Sequence, residues 1–168
     1  KSSYSATVTV TDGSFTVTQA VAITVLDVNE APIFTSSAAF SADENQTGIG
    51  SVTATDPEGD ALTFSVSGSD LSITSEGVLT FKSAPDYETK SSYTATVGVT
   101  DGSLIDSQII TITVTDVDDV APVFSSTSSF SAEENQLSIG VVTATDIDTD
   151  DASLTFSVSG SDLVMSSS

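Results

Sequence analysis

The chain has 168 residues and carries 24 Asp and Glu against three Lys and Arg, a net charge of −21 at neutral pH. That imbalance repels polyanions, so nucleic acid and anionic membrane surfaces are excluded as partners. With neither His nor Cys, it lacks the usual general base, the reactive thiolate, the usual zinc ligands and any disulfide, which argues against an enzyme and leaves packing and some other staple to stabilise a secreted form.

The acid is local and the rest can fold: 38% of residues are apolar, spread at period two as Val, Ile, Ala, Phe and Leu. No stretch reaches the 18 or so apolar residues of a membrane helix, so no membrane insertion is expected in this segment, and Lys1-Ser-Ser-Tyr-Ser lacks the regions of a signal peptide. An export signal or anchor is expected elsewhere, if at all.

Tyr4-Ser-Ala-Thr-Val-Thr-Val-Thr-Asp-Gly-Ser14 aligns with Tyr93-Thr-Ala-Thr-Val-Gly-Val-Thr-Asp-Gly-Ser103, and Phe40-Ser-Ala-Asp-Glu-Asn-Gln46 with Phe130-Ser-Ala-Glu-Glu-Asn-Gln136. Leu62-Thr-Phe-Ser-Val-Ser-Gly-Ser-Asp-Leu71 returns as residues 154–163. So long a period indicates domains in a row, not a solenoid of small repeats. The expected division is the C-terminal strands of one repeat (1–30), a complete repeat (31–120) and the N-terminal part of a third (121–168). A window cut from a longer array is the simplest reading. The alternative is a fibre-forming surface protein in which one chain's tail strands complete another's head by strand donation.

In chain order, Val21, Ile23 and Val25 alternate in the first partial repeat. Strands are then expected over 49–55, 61–67, 71–74, 78–81, 92–100 and 107–115, short runs with turn signals between them, as in a sandwich. Tyr93, Ala95, Val97 and Val99 alternate, as do Ile110, Ile112 and Val114, giving each strand one buried face. Asp101-Gly102 turns the hairpin between them, and nothing asks for a helix. Phe15 and Leu104, each just after an Asp-Gly-Ser turn, are expected to cap the core rather than to form exposed tips.

Two acidic peptides, Asp27-Val-Asn-Glu-Ala-Pro-Ile-Phe34 and Asp116-Val-Asp-Asp-Val-Ala-Pro-Val-Phe124, stand where repeats meet. Other acids recur in fixed order: Glu44-Asn45, Asp56-Pro-Glu58, Asp86-Tyr-Glu88 and Asp101-Gly102. Each alone has a plain explanation as a turn start, a hairpin turn, a solvated loop or an exposed strand end. Together they resemble the cadherin repeat, with its Glu-Asn, Asp-x-Asp, Asp-x-Glu, hairpin Asp and acidic Ala-Pro linker, over the whole chain. The resemblance implies an all-β fold of tandem seven-stranded Greek-key β-sandwiches, cadherin- or Ig-like, in an end-to-end array, with Ca2+ shared at each junction.

Carried over residue by residue, the second junction receives Glu44, Asp86 and Glu88 from the preceding repeat. Its linker gives Asp116, Asp118 and Asp119 with the carbonyls of Val117 and Val120, and the following repeat gives Asp146 and Asp148. So many hard oxygen donors suit calcium better than zinc, copper or magnesium. The first junction receives Asp27, Asn29, Glu30, Asp56, Glu58 and Asp101, but its linker is one residue short, Glu58 replaces the expected Asp, and the upstream acids would lie before Lys1. Fewer or weaker ions are expected there. Asp12 and Glu134 match the motif for junctions outside this window.

The partners this implies are neighbouring repeats of the same chain, through shared calcium. The simple Ser/Thr/Ala/Val composition looks like the extracellular stalk of a large bacterial surface adhesin, secreted or cell-surface. A competing function is a binding module for polysaccharide or for homophilic cadherin-like contacts, though the chain has no Trp to stack on a sugar. Asn45-Gln46-Thr47 is a glycosylation sequon by pattern only.

Overall fold

The computed structural model describes residues 2–160 and 162–165. It is built from strands: β1 (Ser3–Thr11), β2 (Thr16–Thr24), β3 (Ile33–Phe34), β4 (Ala39–Asp43), β5 (Gly48–Ser51), β6 (Ala54–Thr55), β7 (Thr63–Val66), β8 (Leu71–Ile73), β9 (Val78–Phe81), β10 (Ser92–Thr100), β11 (Ile105–Thr115), β12 (Val123–Phe124) and β13 (Ala144–Thr145). The helical content among the described residues is one 3₁₀ turn, Asp151–Ser153, capped by the Asp150 carboxylate on the Ala152 N–H. No helix among them is long and apolar enough to cross a membrane.

The centre of the chain is a β-sandwich. One sheet has the order β4-β11-β10-β7 and the other β5-β9-β8, with a short β3-β6 ladder beside them. Segment 33–43 pairs first with β6 and then, in parallel, with β11, so it changes partners at its middle. Strand 49–55 is likewise broken into β5 and β6, with Val52 fully buried at the break. With these two breaks allowed for, the ladder order is consistent with the expected seven-strand plan.

The expected bounds of β9 and β10 match the structure, and those of β7, β8 and β11 shift by one or two residues. Strands β3 and β4, absent from the expected set, are too short or too Ser-rich to stand out by alternation.

Alternation does what it should in the centre. Val97 and Val99 from β10, Ile110, Ile112 and Val114 from β11, and Leu71, Leu79 and Phe81 from the facing sheet are all buried. Tyr93 and Ala95 pack on the edge of this core, Tyr93 edge-on to Phe81 at 4.9 Å between ring centroids.

The β1–β2 hairpin repeats the β10–β11 register almost residue for residue, yet its face is open. Val8 is 55% exposed where its counterpart Val97 is 0%, and Ile23 is 58% exposed where Ile112 is 0%. Period two creates an apolar face; burying it takes a second sheet.

Residues 121–165 carry strand sequence but pair only through the two-residue β12–β13 ladder among the described residues, and Phe124 and Val141 stay exposed. The part of 154–163 that includes Ser161 lies partly outside the described residues. Phe15 and Leu104 are also exposed. They do not cap the core, because each is the last residue of a hairpin turn, held there by its N–H bond to the Asp12 or Asp101 carboxylate.

Both hairpins turn through four-residue loops built on Asp: the Asp101 carboxylate accepts the N–H groups of Ser103 and Leu104, and Asp12 those of Ser14 and Phe15. Glycine is required most strictly at Gly77, where φ is +89° and a Cβ would lie 2.2 Å from the Val52 carbonyl oxygen, whose own N–H bonds Gly77 at 2.8 Å. Gly102 has a similar φ of +98° with open space around it. Gly102→Ala should therefore cost about 1–3 kcal/mol, the range for a non-Gly residue held in a left-handed conformation. Gly77→Ala should cost distinctly more, because backbone must also move. Urea unfolding of the two variants against the parent checks the order, and equal losses would contradict this packing.

Candidate metal centre

The acids of the second junction are brought together by the ends of four segments. Strand β4 stops at Asp43, which puts Glu44 at the sandwich's end. Residues 87–89 form a turn there, closed by the Lys90 N–H on the Asp86 carbonyl, β11 ends at Thr115 and releases the linker, and the loop after β13 returns Asp148.

Glu44 is the one buried charged residue among those described, 3% exposed. Its two carboxylate oxygens accept the N–H groups of Tyr87 and Val117, each at 2.9 Å, tying the 87–89 turn to the linker. From the far side, Asp148 Oδ2 accepts the N–H groups of Asp119 at 2.9 Å and Val120 at 2.7 Å. The sandwich on one side and the segment after the linker on the other thus both hold the linker backbone, at Val117 and at Asp119 and Val120.

Around this grip the carboxylates converge. Glu44, Glu88 and Asp116 each offer an oxygen within 4.8 Å of the others, and so do Glu88, Asp119 and Asp148. Glu88 belongs to both groups. Its Oε1 is buried without a hydrogen-bond partner, as is Oδ1 of Asp148. Such oxygens are unfavourable unless something neutralises them. The described cations are elsewhere: Lys90 pairs with Asp70 at 2.7 Å and lies over the Tyr93 ring, and Lys82 also acts on Asp70.

Titration follows this crowding. Loss of water and then the charges of Asp148, Glu44, Asp119 and Asp118 hold Asp116 above the usual carboxylate range. For Glu88 the largest single influence, a hydrogen bond from its own N–H, lowers it. Desolvation and the charges of Glu44, Asp148 and Asp116 together outweigh that bond and raise it. Asp148 goes the other way: the Val120 N–H leads, helped by the Asp119 N–H and the Glu88 carboxyl, and outweighs desolvation.

Asp86, Asp118 and Asp146 stand outside the two groups. Asp86 accepts the N–H and hydroxyl of Thr89, Asp118 takes the Thr149 hydroxyl at 3.3 Å, and Asp146 closes its own loop on the N–H groups of Asp148 and Thr149. Val117 and Val120 lie at the centre of the grip through their N–H groups, whereas the resemblance assigned their carbonyls. Asn45, absent from the expected set, donates its amide to Asp119 at 2.6 Å. Its position beside Glu44 in the Glu-Asn pair was the available signal.

At the first junction no three carboxylates come together in this way among the described residues. Asn29 donates to Asp101 at 2.8 Å, and the Glu30 N–H to Glu58 Oε2 at 3.0 Å. Contact with the Glu58 carboxyl, then its charge, desolvation, Asp27 and Asp56 raise the Glu30 pKa, so Glu30 favours holding a proton. Asp101 is lowered, first by the Leu104 N–H and then by the Asn29 amide. Asp56 accepts the N–H groups of Glu58 and Asp60 through Oδ1, and its Oδ2 is buried without a partner.

Two predictions follow from these geometries. In chelator, Glu44→Ala should destabilise the chain by about 1–3 kcal/mol, because two N–H groups lose a charged acceptor, whereas Asp116→Asn should leave stability equal or higher by relieving repulsion. Thermal unfolding reads both, and a marked loss in Asp116→Asn would contradict the picture. For pH, the raised groups (Asp116, Glu88, Glu30) are favoured in their protonated forms, so their contribution is present at low pH and lost as pH rises through their raised values. The lowered groups (Asp148, Asp101) lose theirs only below the ordinary carboxylate range. Cation-free protein should therefore gain stability as pH falls from neutral toward that range, then lose it below. A monotonic loss from neutral downward would contradict the assignment.

Similarity to known proteins agrees with this architecture. Residues 29–115 match the family model described as Bacterial Ig domain. Mouse protocadherin Fat 4 is 35% identical over 150 residues, covering 78% of this chain and 3% of that protein. Among solved structures, protocadherin gammaB7 EC3-6 superposes with a TM-score of 0.62 at 27% identity, covering 75% of this chain and 36% of that one. Human protocadherin-24 EC1-2 gives 0.59 at 28% identity, covering 73% and 64%. Mouse cadherin-23 EC22-24 gives 0.59 at 25%, covering 86% and 53%. The chain thus spans a small part of the curated relative and less than two thirds of each of these structures. It belongs to the bacterial Ig domain family, as an all-β, cadherin-like repeat.

Proposed function

We propose that this chain is a segment of an extracellular adhesion array, one complete repeat (31–120) between parts of two others (1–30 and 121–168), and that Ca2+ at its junctions stiffens the array into a stalk. The observation that carries this is Glu88, shared by two carboxylate triads that draw on the sandwich, the linker and the following segment, with partnerless buried oxygens on Glu88 and Asp148. The donor set is all oxygen and without His or Cys, which suits calcium.

Glu44, Glu88, Asp116, Asp119 and Asp148 would hold the ion, with Asp86, Asp118, Asp146 and the carbonyls of Val117 and Val120 completing the set. A divalent cation there neutralises charge that otherwise repels, and it links groups from both sides of the linker. The residues themselves position the linker backbone, through Glu44 on one side and Asp148 on the other. At the first junction, Asp27, Asn29, Glu30, Asp56, Glu58 and Asp101 would form a weaker site, because Glu30 and Glu58 face each other and no three of its carboxylates converge among the described residues.

Affinities of extracellular calcium modules, about 10⁻⁴–10⁻³ M, would make the stalk rigid outside the cell and flexible where calcium is scarce. The repeats would then act as spacer, projecting a distal binding region of the full-length protein, of the kind found in large bacterial surface adhesins. A bacterial origin accords with the family model and with the simple composition.

Small-angle scattering of several tandem repeats, first with millimolar calcium and then with chelator, tests the mechanical reading. Calcium should lengthen the maximum dimension and reduce flexibility. The same dimension and flexibility in both conditions would sink it.

A further inference from the structure

Two asparagine side chains reach across the junctions in the same chemical role. Asn45 follows Glu44 with a left-handed φ of 62°. Its backbone N–H donates to the Pro85 carbonyl at 3.0 Å and its side-chain amide to Asp119 Oδ2 at 2.6 Å, 74 residues away in the chain. At the other junction the Asn29 amide donates to Asp101 Oδ2 at 2.8 Å, across 72 residues.

Asn is among the few residues that enter the left-handed region readily, and the second Glu-Asn pair repeats the conformation at Asn135, where φ is 66°. The backbone at Asn45 is thus set by the repeat itself, before any contact with a linker. An amide that donates to a carboxylate forms a charge-assisted hydrogen bond at any ion concentration. It does so without adding charge to a crowded site.

We infer that Asn45 is a cation-independent latch: a positioning residue that holds Asp119 against the end of the sandwich so that the second joint is preformed before an ion arrives, with Asn29 holding Asp101 in the same way at the first. As a statement about calcium it rests on the reading above; as a statement about the cation-free joint it stands alone. One oxygen of Asp119 takes the amide, and a carboxylate has a second to offer. The latch therefore assists the site rather than competing with it. The cation-free linker is accordingly docked, and calcium tightens a joint that already exists.

The test compares the parent chain with Asn45→Gly, which keeps the left-handed backbone and deletes the amide. Hydrogen exchange of the linker amides at Asp119 and Val120, measured in chelator, should accelerate by roughly two- to tenfold, the worth of one net hydrogen bond. Exchange in β10 and β11 should not change. Calcium affinity by calorimetry should fall by a similar factor. Unchanged linker exchange in chelator overturns the latch, and accelerated exchange with unchanged affinity overturns its positioning role. Should the parent bind no calcium, the calcium reading fails while exchange alone still decides the latch.

Discussion

The joint between residues 44 and 148 depends on carboxylates that grip backbone. Glu44 accepts the Val117 N–H from one side and Asp148 accepts the Asp119 and Val120 N–H groups from the other, so the linker's path is fixed by anions. The same anions then stand within a few ångströms of Glu88 and Asp116. What orders the linker also charges it. Hydrogen bonds to N–H groups relieve part of that charge, as the lowered Asp148 shows, and leave the rest on Asp116 and Glu88, which are raised.

The sandwich exists in this scheme to deliver chain ends. Its core is ordinary, a layer of Val, Ile, Leu and Phe between two sheets. What is particular is where strands stop. Strand β4 runs parallel to β11 and both end at the same pole, Asp43 opposite Thr115, so Glu44 and Asp116 emerge side by side. The Glu44 N–H even continues the ladder to the Thr115 carbonyl at 3.1 Å. A one-residue slip of that register would separate the two acids. The first junction uses the opposite pole, where the β10–β11 loop presents Asp101 to Asn29. There the contacts are an amide on a carboxylate and two facing glutamates, a milder electrostatic problem with a milder solution.

Much of this was legible in the sequence. The period and the alternation in 92–100 and 107–115 gave fold class and core, because a buried sheet face imposes a two-residue rhythm that few other structures produce. The fixed order of acids indicated which would meet, and Glu44, Glu88, Asp116, Asp119 and Asp148 do. Other things were not legible. Alternation cannot say whether a partner sheet exists, so Val8 and Val10 read the same as Val97 and Val99 yet stay exposed. Short strands such as β3 and β4 owe their existence to partners far along the chain. A list of acids also does not reveal which already hold other partners: Asp86 accepts both the N–H and the hydroxyl of Thr89. The Asn45 contact needed a backbone angle that Asn makes accessible but does not announce.

The central claim is that the carboxylates shared through Glu88 hold calcium, and anomalous diffraction from crystals grown with calcium measures it most directly. Anomalous density is expected at the second junction, within coordination distance of oxygens from Glu88, Asp116 and Asp119, with weaker or no density at the first. Crystals with calcium in the medium but no anomalous signal between residues 44 and 148, with the linker path unchanged, would contradict it.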